Sequence, residues 1–397
     1  VIKLFTNEII RYTDEIFDKV KSLRREIHMY PELGFEEVKT ASLVNEFLKE
    51  LGLNIRTGLA KTGVIATLKG KEPGKTFAIR ADMDALSISE ENTFEYISKN
   101  SGKMHACGHD SHVAIVLGAA YVLTKLRDLF SGNVKFIFQP GEEGLGGAKL
   151  MVDEGALEDP KVDSIIAAHV SPLIETGSIS VRSGPVMASP SEFDITIIGK
   201  SGHAAQPQKA INPIEIGARV VVRFGKVVKD ESDPLKRAVL SVTQFNAGTA
   251  FNIIPDQVSI CGTVRTFDDS ICSEIASRME EILKEETSKK GANYDFVFNR
   301  CYPPVINDKK LADFVCESAG SIISESLIIK DDEPSMLAED FSYYAKAVPG
   351  AFFHLGCRKP GTAEINNLHS SRFNIDENCL KTGIQIMVQC CIDYLNS

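Results

Sequence analysis

The chain has 397 residues, 43% hydrophobic and 25% charged, with 44 basic against 54 acidic residues and a net charge of −10. With no Lys/Arg run and no apolar stretch near the roughly 20 residues that span a bilayer, nucleic-acid, membrane-surface and transmembrane roles are poorly supported. At this length an ordinary composition predicts two globular domains of about 100–200 residues each.

The nine cysteines are scattered, and the N-terminus leads into a charged helix rather than a signal peptide, so reduced thiols in a cytoplasm are expected. Ile9, Ile16, Val20, Leu23 and Ile27 recur at helical spacing until Pro31, and a second helix is expected over 37–51, closed by Gly52. Apolar runs predict strands at 63–68, 77–81, 134–138 and 164–170, with a helix over 111–126. Helices alternating with short apolar strands point to an α/β sheet with helices on both faces. The pattern changes near Ser189. Strand 193–197, helix 213–228, strands 239–245 and 258–267, helix 270–289 and strand 294–298 follow in the order β-α-β-β-α-β, the split arrangement of a small ferredoxin-like domain. After Pro303-Pro304 the α/β character returns and ends in an amphipathic helix over 377–395. The expected organisation is a larger domain, 1–188 with 302–397, interrupted by a smaller one, 189–301.

Residues 104–112, Met-His-Ala-Cys-Gly-His-Asp-Ser-His, hold three of the chain's eight histidines together with Cys107 and Asp110. Imidazole, thiolate and carboxylate are the side chains that bind transition metals, so this stretch reads as half of a metal site. Further donors follow predicted strands, where α/β proteins place their sites: Asp82 and Asp84 after 77–81, Glu142 and Glu143 after 134–138, and His169 at the end of 164–168. His369 adds another in a polar loop. Of two adjacent carboxylates, one can bind metal while the other moves protons. Taken singly, each piece has a structural alternative. His169 or His369 can be an ordinary structural histidine, and Glu142-Glu143 a solvated face. Asp82 and Asp84 can be turn residues, Asp110 a helix cap, and His105 and His112 can orient neighbours.

The segments 28–37 (His-Met-Tyr-Pro-Glu-Leu-Gly-Phe-Glu-Glu), 80–86 (Arg-Ala-Asp-Met-Asp-Ala-Leu), 105–112 and 138–143 (Phe-Gln-Pro-Gly-Glu-Glu), in that order, resemble the aminoacylase and carboxypeptidase family of dinuclear metallohydrolases. Within it the chain is most similar to the hippurate hydrolase and indole-3-acetyl-amino-acid hydrolase subfamily. The resemblance runs from about residue 20 to the end. It implies a catalytic domain with a phosphorylase/hydrolase-like mixed sheet flanked by helices, and an inserted lid and dimerisation domain. It also implies two divalent ions held by Cys107, His109, Glu143, His169 and His369, with Cys107 where the wider family has a bridging aspartate. Asp82 falls where that family has a histidine ligand. Zinc or manganese is expected, with cobalt or nickel as alternatives; a thiolate favours zinc on softness.

By the same resemblance Glu142 is the general base and Asp84 orients a ligand or the base. His203 and Asn252, in segments that alone read as surface turns, reach toward the scissile carbonyl, in some members from the partner subunit. Arg265, otherwise an edge-strand charge, binds the substrate carboxylate through its planar fork. The expected activity is hydrolysis of N-acyl amino acids by a homodimer, with no nucleic-acid or membrane partner. The alternatives are a metallocarboxypeptidase or dipeptidase acting on short or blocked peptides, and a non-catalytic metal-binding protein.

Overall fold

The computed structural model describes residues 2–228, 236–330 and 332–397. Their contacts divide them into two compact units: residues 1–186, 306–332 and 340–397, and residues 187–305 with 333–339.

The first unit is built on an eight-stranded mixed sheet. Across the sheet the strands run Asn54–Leu59, Gly63–Lys69, Asn133–Gln139, Thr76–Asp82, Ser164–Glu175, Gly350–Arg358, Ile179–Val181 and Ile328–Lys330. The central strands are rich in Val, Ile, Phe and Ala and buried on both faces, with Arg80 and Lys135 as buried charged exceptions, as strands covered by helices on each side must be. Thr76–Asp82 pairs parallel with both Asn133–Gln139 and Ser164–Glu175, and the last of these pairs parallel with Gly350–Arg358. This common direction gathers their C-terminal ends at one edge: Asp82 stands opposite Gln139, and Arg80 opposite Ala167. The helices Ile2–Met29, His109–Lys125 and Cys379–Leu395 pack together against the sheet.

Two expectations need correction here. His169 does not end its strand, because pairing with Gly350–Arg358 carries Ser164–Glu175 several residues further. The helix expected over 111–126 begins at His109, after Gly108 at φ 85°. The C-terminal helix is amphipathic as expected: twelve of its residues are buried, Cys390 and Cys391 among them, and Lys381, Gln385, Gln389 and Asp393 form a narrow polar stripe at four-residue spacing.

The second unit has a four-stranded antiparallel sheet in the order Ala238–Ala247, Gln257–Thr266, Ser189–Ile198, Asn293–Arg300. The helices Pro213–Phe224 and Asp269–Ser288 bury Ile216, Val220, Phe224, Ile275, Met279 and Leu283 in one core with Phe193, Ile195 and Val258. Both helices start where capping chemistry directs. Asn212 accepts from the Ile214 N–H with proline at the first turn, and Asp268 accepts from the Ser270 and Ile271 N–H groups. The chain order is β-α-β-β-α-β, the ferredoxin-like arrangement.

Candidate metal centre

Helix His109–Lys125 opens at Gly108, whose left-handed backbone brings it against the strand carrying His169. A Cβ there would lie 2.4 Å from Val170 Cγ2. His109 is fully buried. Its Nδ1 donates to Asp84 Oδ1 at 3.2 Å, and its Nε2 has no hydrogen-bond partner. His169 repeats the arrangement: Nδ1 donates to the Val170 carbonyl at 2.8 Å, and Nε2 faces Cys107 Sγ at 3.4 Å. An imidazole whose Nδ1–H is committed presents its Nε2 lone pair, which is how metal-binding histidines are oriented.

Asp84 has a second task, because its Oδ2 accepts from the Glu143 N–H at 2.9 Å. The same carboxylate therefore aligns the His109 ring and the backbone that carries Glu143. His369 arrives from the distant loop in a left-handed conformation, φ 63°. Its N–H donates to the Ala106 carbonyl at 2.8 Å, and its Nε2 lies 3.3 Å from Glu143 Oε1 without hydrogen-bond geometry. A non-glycine residue held there is strained by about 1–3 kcal/mol, and such strain clusters at functional sites.

Three of the donor groups among the described residues are built from these side chains, each with its members within 4.8 Å of one another: Cys107, His109 and His169; Cys107, Glu143 and His369; and His109, Glu142 and Glu143. Cys107 belongs to two of them. The buried His109 Nε2 and Glu143 Oε1, left without hydrogen bonds, are the groups a cation would satisfy. The donor set therefore fits two divalent ions sharing a sulfur.

The electrostatics are those of a pocket that attracts positive charge. Burial, reinforced by the neighbouring Glu143, pushes the Cys107 thiol well above its ordinary value, so a thiolate here needs a cation beside it. Burial resists protonation of His109, but Asp82, Cys107 and Asp84 outweigh it and raise its pKa. At His169 burial, joined by the nearby His112, keeps the ring neutral and able to ligate. Burial would raise the Glu143 carboxyl, and His369 and His109 bring it below the usual range instead.

Neighbouring polar residues have other occupations. His112 donates from Nδ1 to Asp82 Oδ1 at 2.6 Å and accepts from the Val170 N–H at 2.9 Å, so neither nitrogen is available to a metal. Asp82 also accepts from Arg80 Nη1 at 2.6 Å. Arg80 continues to Gln139 and Asp340 at 2.9 and 3.2 Å, a buried network that ties the strand ends together. His105 is buried, and burial drops its pKa to about 3. Asp110 does not cap the helix. Its Oδ2 meets Arg24 Nε at 2.8 Å and His28 Nδ1 at 2.7 Å, both fully buried. Sequence reasoning missed Arg24, Gln139 and Asp340. Arg24 interrupts a stripe of apolar residues and could have been suspected; nothing local marks Asp340.

Burial alone would raise the Asp110 carboxyl, yet Arg24 and His28 hold it far below the usual range. Its contribution to stability is therefore complete above the unfolded value of about 3.9 and is lost as pH falls below it. Asp110→Asn should destabilise by about 1–3 kcal/mol at pH 7 by removing the nearer carboxylate from the buried Arg24, which keeps Glu377 at 3.6 Å. The difference from the parent should narrow below about pH 4. Denaturant unfolding across pH 3–7 measures this, and a pH-independent difference would exclude charge pairing as its source.

His203, Asn252 and Arg265 all lie in the second unit. His203 pairs with Ile253 in a two-stranded ribbon, and the Ala204 N–H donates to the Asn252 carbonyl at 3.0 Å, so His203 and Asn252 share one exposed structure. Arg265 sits on an inner strand between Val239 and Pro190, which removes its reading as an edge charge.

A mixed-sheet α/β unit with a two-cation donor cluster at the strand ends defines a metallohydrolase architecture. The chain belongs to peptidase family M20/M25/M40, whose profile matches residues 78–393. It is 48% identical over 301 residues to an N-acyl-L-amino acid amidohydrolase of Geobacillus stearothermophilus, covering 76% of this chain and 81% of that one. It is 39% identical over 373 residues to thermostable carboxypeptidase 1 of Saccharolobus solfataricus, covering 93% of each. The fold superposes on a dinuclear metal-binding M20 peptidase of Bacillus subtilis with a TM-score of 0.84 at 34% identity, covering 96% of this chain and 99% of that one.

Proposed function

We propose that the chain is a metal-dependent amidohydrolase that cleaves N-acyl amino acids to a carboxylic acid and a free amino acid. The observation that carries this reading is the Cys107 sulfur shared between two donor sets, with the buried Glu142 in a third set beside Glu143 and His109. Cys107, His109 and His169 would hold one divalent ion, and Cys107, Glu143 and His369 the other. Zinc suits the thiolate and imidazoles best, with manganese, cobalt and nickel as alternatives. When bound, such ions supply Lewis acidity, which acidifies water and polarises an amide carbonyl.

The protein's own residues do the rest. Glu142 accepts a proton from the attacking water and returns it to the leaving amine. Asp84 keeps the His109 ring and the Glu143 backbone aligned. His203 and Asn252 act on the scissile carbonyl, and Arg265 receives the substrate carboxylate. The second unit, residues 187–305 with 333–339, serves as an inserted lid and dimerisation domain. Its outermost strand Ala238–Ala247 has one unpaired edge and an exposed second half, which favours pairing with a second copy. Sedimentation velocity across a dilution series should show a dimer.

Metal-stripped protein with Zn²⁺, Mn²⁺, Co²⁺ or Ni²⁺ added back should release free amino acid from benzoyl-glycine and N-acetyl amino acids. Faster release from dipeptides would favour the carboxypeptidase or dipeptidase reading, which the carboxypeptidase relative supports. Metal binding without turnover on any of these substrates would favour a protein that binds rather than cuts, a role with no use for Glu142 beside a ligand. His369→Ala should lose one of the two ions by elemental analysis; full retention would remove His369 from the donor set. The nine free thiols suit the cytoplasm.

A further inference from the structure

The segment 32–37 lies outside the donor set, yet it runs along both elements that carry the site. Leu33 bridges Ala85 in parallel, and the Ala85 N–H donates to the Glu32 carbonyl at 2.8 Å. Glu32 caps the helix Val38–Glu50, its carboxylate accepting from the Lys39 and Thr40 N–H groups at 2.9 Å each. Glu37 stands at the N-cap position of that helix but makes no side-chain cap bond. Its carboxylate is committed elsewhere. Oε1 accepts from the Gly141 N–H at 2.9 Å, and Oε2 from the Thr62 hydroxyl at 2.6 Å. The residue has no exposed surface.

Gly141 immediately precedes Glu142 and Glu143 and has φ 61°. Its Cα side rests on the Phe35 ring, where an added Cβ would come within 3.0 Å, and Phe35 is itself left-handed at φ 65°. A Cβ on Gly34 would strike Leu145 at 2.4 Å and approach Gly141 Cα at 3.1 Å. Thr62 follows two further left-handed residues, Ala60 and Lys61. Three non-glycine residues in this small region, Phe35, Ala60 and Lys61, are thus held in costly left-handed conformations around one buried carboxylate. A carboxylate is expensive to bury and is retained where its acceptors are used.

We infer that Glu37 is a positioning residue for the reaction: through Gly141 it fixes the pivot of the loop that presents Glu142. The inference rests on the amidohydrolase reading of the site. A general base must sit within hydrogen-bond reach of the proton it takes, and small displacements cost turnover steeply. Once its N–H is released, Gly141 gains more backbone freedom than a residue with a side chain would, held only on its carbonyl side by the Gly147 N–H at 3.0 Å. Of the five donors only Glu143 shares this loop, and its own N–H is held separately by Asp84 at 2.9 Å, so metal retention and turnover should separate.

The test compares Glu37→Ala, Glu37→Gln and Thr62→Val with the parent enzyme, all metal-loaded, for kcat, KM and bound metal. Glu36→Gln, on an exposed neighbour paired with Lys103, is the control. Glu37→Ala should lose about 10–100-fold in kcat with KM and metal content unchanged, and Glu37→Gln, whose amide oxygen still accepts from Gly141, should regain most of it. Thr62→Val, which conserves volume and removes one partner, should fall between, and it carries the test if Glu37→Ala does not fold. Unchanged kcat in Glu37→Ala and Thr62→Val, or loss of metal in step with kcat, overturns the inference. If the parent enzyme cleaves none of the substrates, the functional reading fails on its own. The positioning role is then read from amide exchange, with faster exchange at 140–147 in Glu37→Ala supporting it and unchanged exchange overturning it.

Discussion

Glu142→Ala is expected to lower turnover by about 10²–10⁴-fold while both metal ions stay bound. The separation follows from the geometry. Glu142 shares its donor set with His109 and Glu143, but neither of the two sets containing Cys107 needs it. Removing its carboxylate therefore leaves Cys107, His109 and His169 on one side and Cys107, Glu143 and His369 on the other. What is lost is the group that accepts a proton from water and hands it to the departing amine. Elemental analysis and steady-state kinetics on the same preparation decide the point. Metal loss in the variant would make Glu142 a ligand. Near-normal kcat with metal retained would move the base elsewhere. Glu142→Gln should resemble Glu142→Ala in rate, because an amide keeps the shape but cannot take the proton.

The second large effect is expected at Cys107. It is the only residue common to two of the three-donor groups found among the described residues that also include His169 or His369. Cys107→Ala should weaken both ions together, by more than the roughly 10–100-fold that loss of an outer-shell partner costs in metal affinity. His369→Ala, by contrast, should affect one ion. Cys107→Asp should restore binding, because a carboxylate offers two oxygens to two cations. It should also shift preference from zinc toward manganese, since oxygen is the harder donor. Competition titrations with the two metals read both effects. Selective loss of one ion in Cys107→Ala would show that the sulfur serves a single ion.

Much of this was legible in the chain itself. The order of strands and helices in the second unit follows from the alternation in 193–197 and from caps at Asn212 and Asp268, which act within a few residues. The cluster at 104–112 stood out because its donors are neighbours in sequence. The strand Asn54–Leu59, which is mostly exposed, carries no apolar run to announce it, and it exists because Gly63–Lys69 offers it an edge. Likewise the end of the His169 strand was misjudged because pairing with Gly350–Arg358, far along the chain, extends it.

The sequence by itself determined the kinds of donor available, the local turns that carry them, and the β-α-β-β-α-β order of the second unit. These depend on side-chain chemistry and on spacing within a few residues. Only the tertiary structure decided which donors meet. Parallel pairing puts Asp82 and Gln139 level, and a single hydrogen bond to Ala106 fixes the backbone of His369 beside Cys107. His112 belongs to the histidine-rich cluster in sequence, and its part in orienting neighbours shows only in the fold, where Asp82 and the Val170 N–H occupy both its nitrogens. Asp84 and Glu37 take their meaning from contacts with residues 143 and 141, more than fifty positions away. A hydrogen bond between such distant residues leaves no periodicity in the chain, because only the closed sheet brings its two ends together.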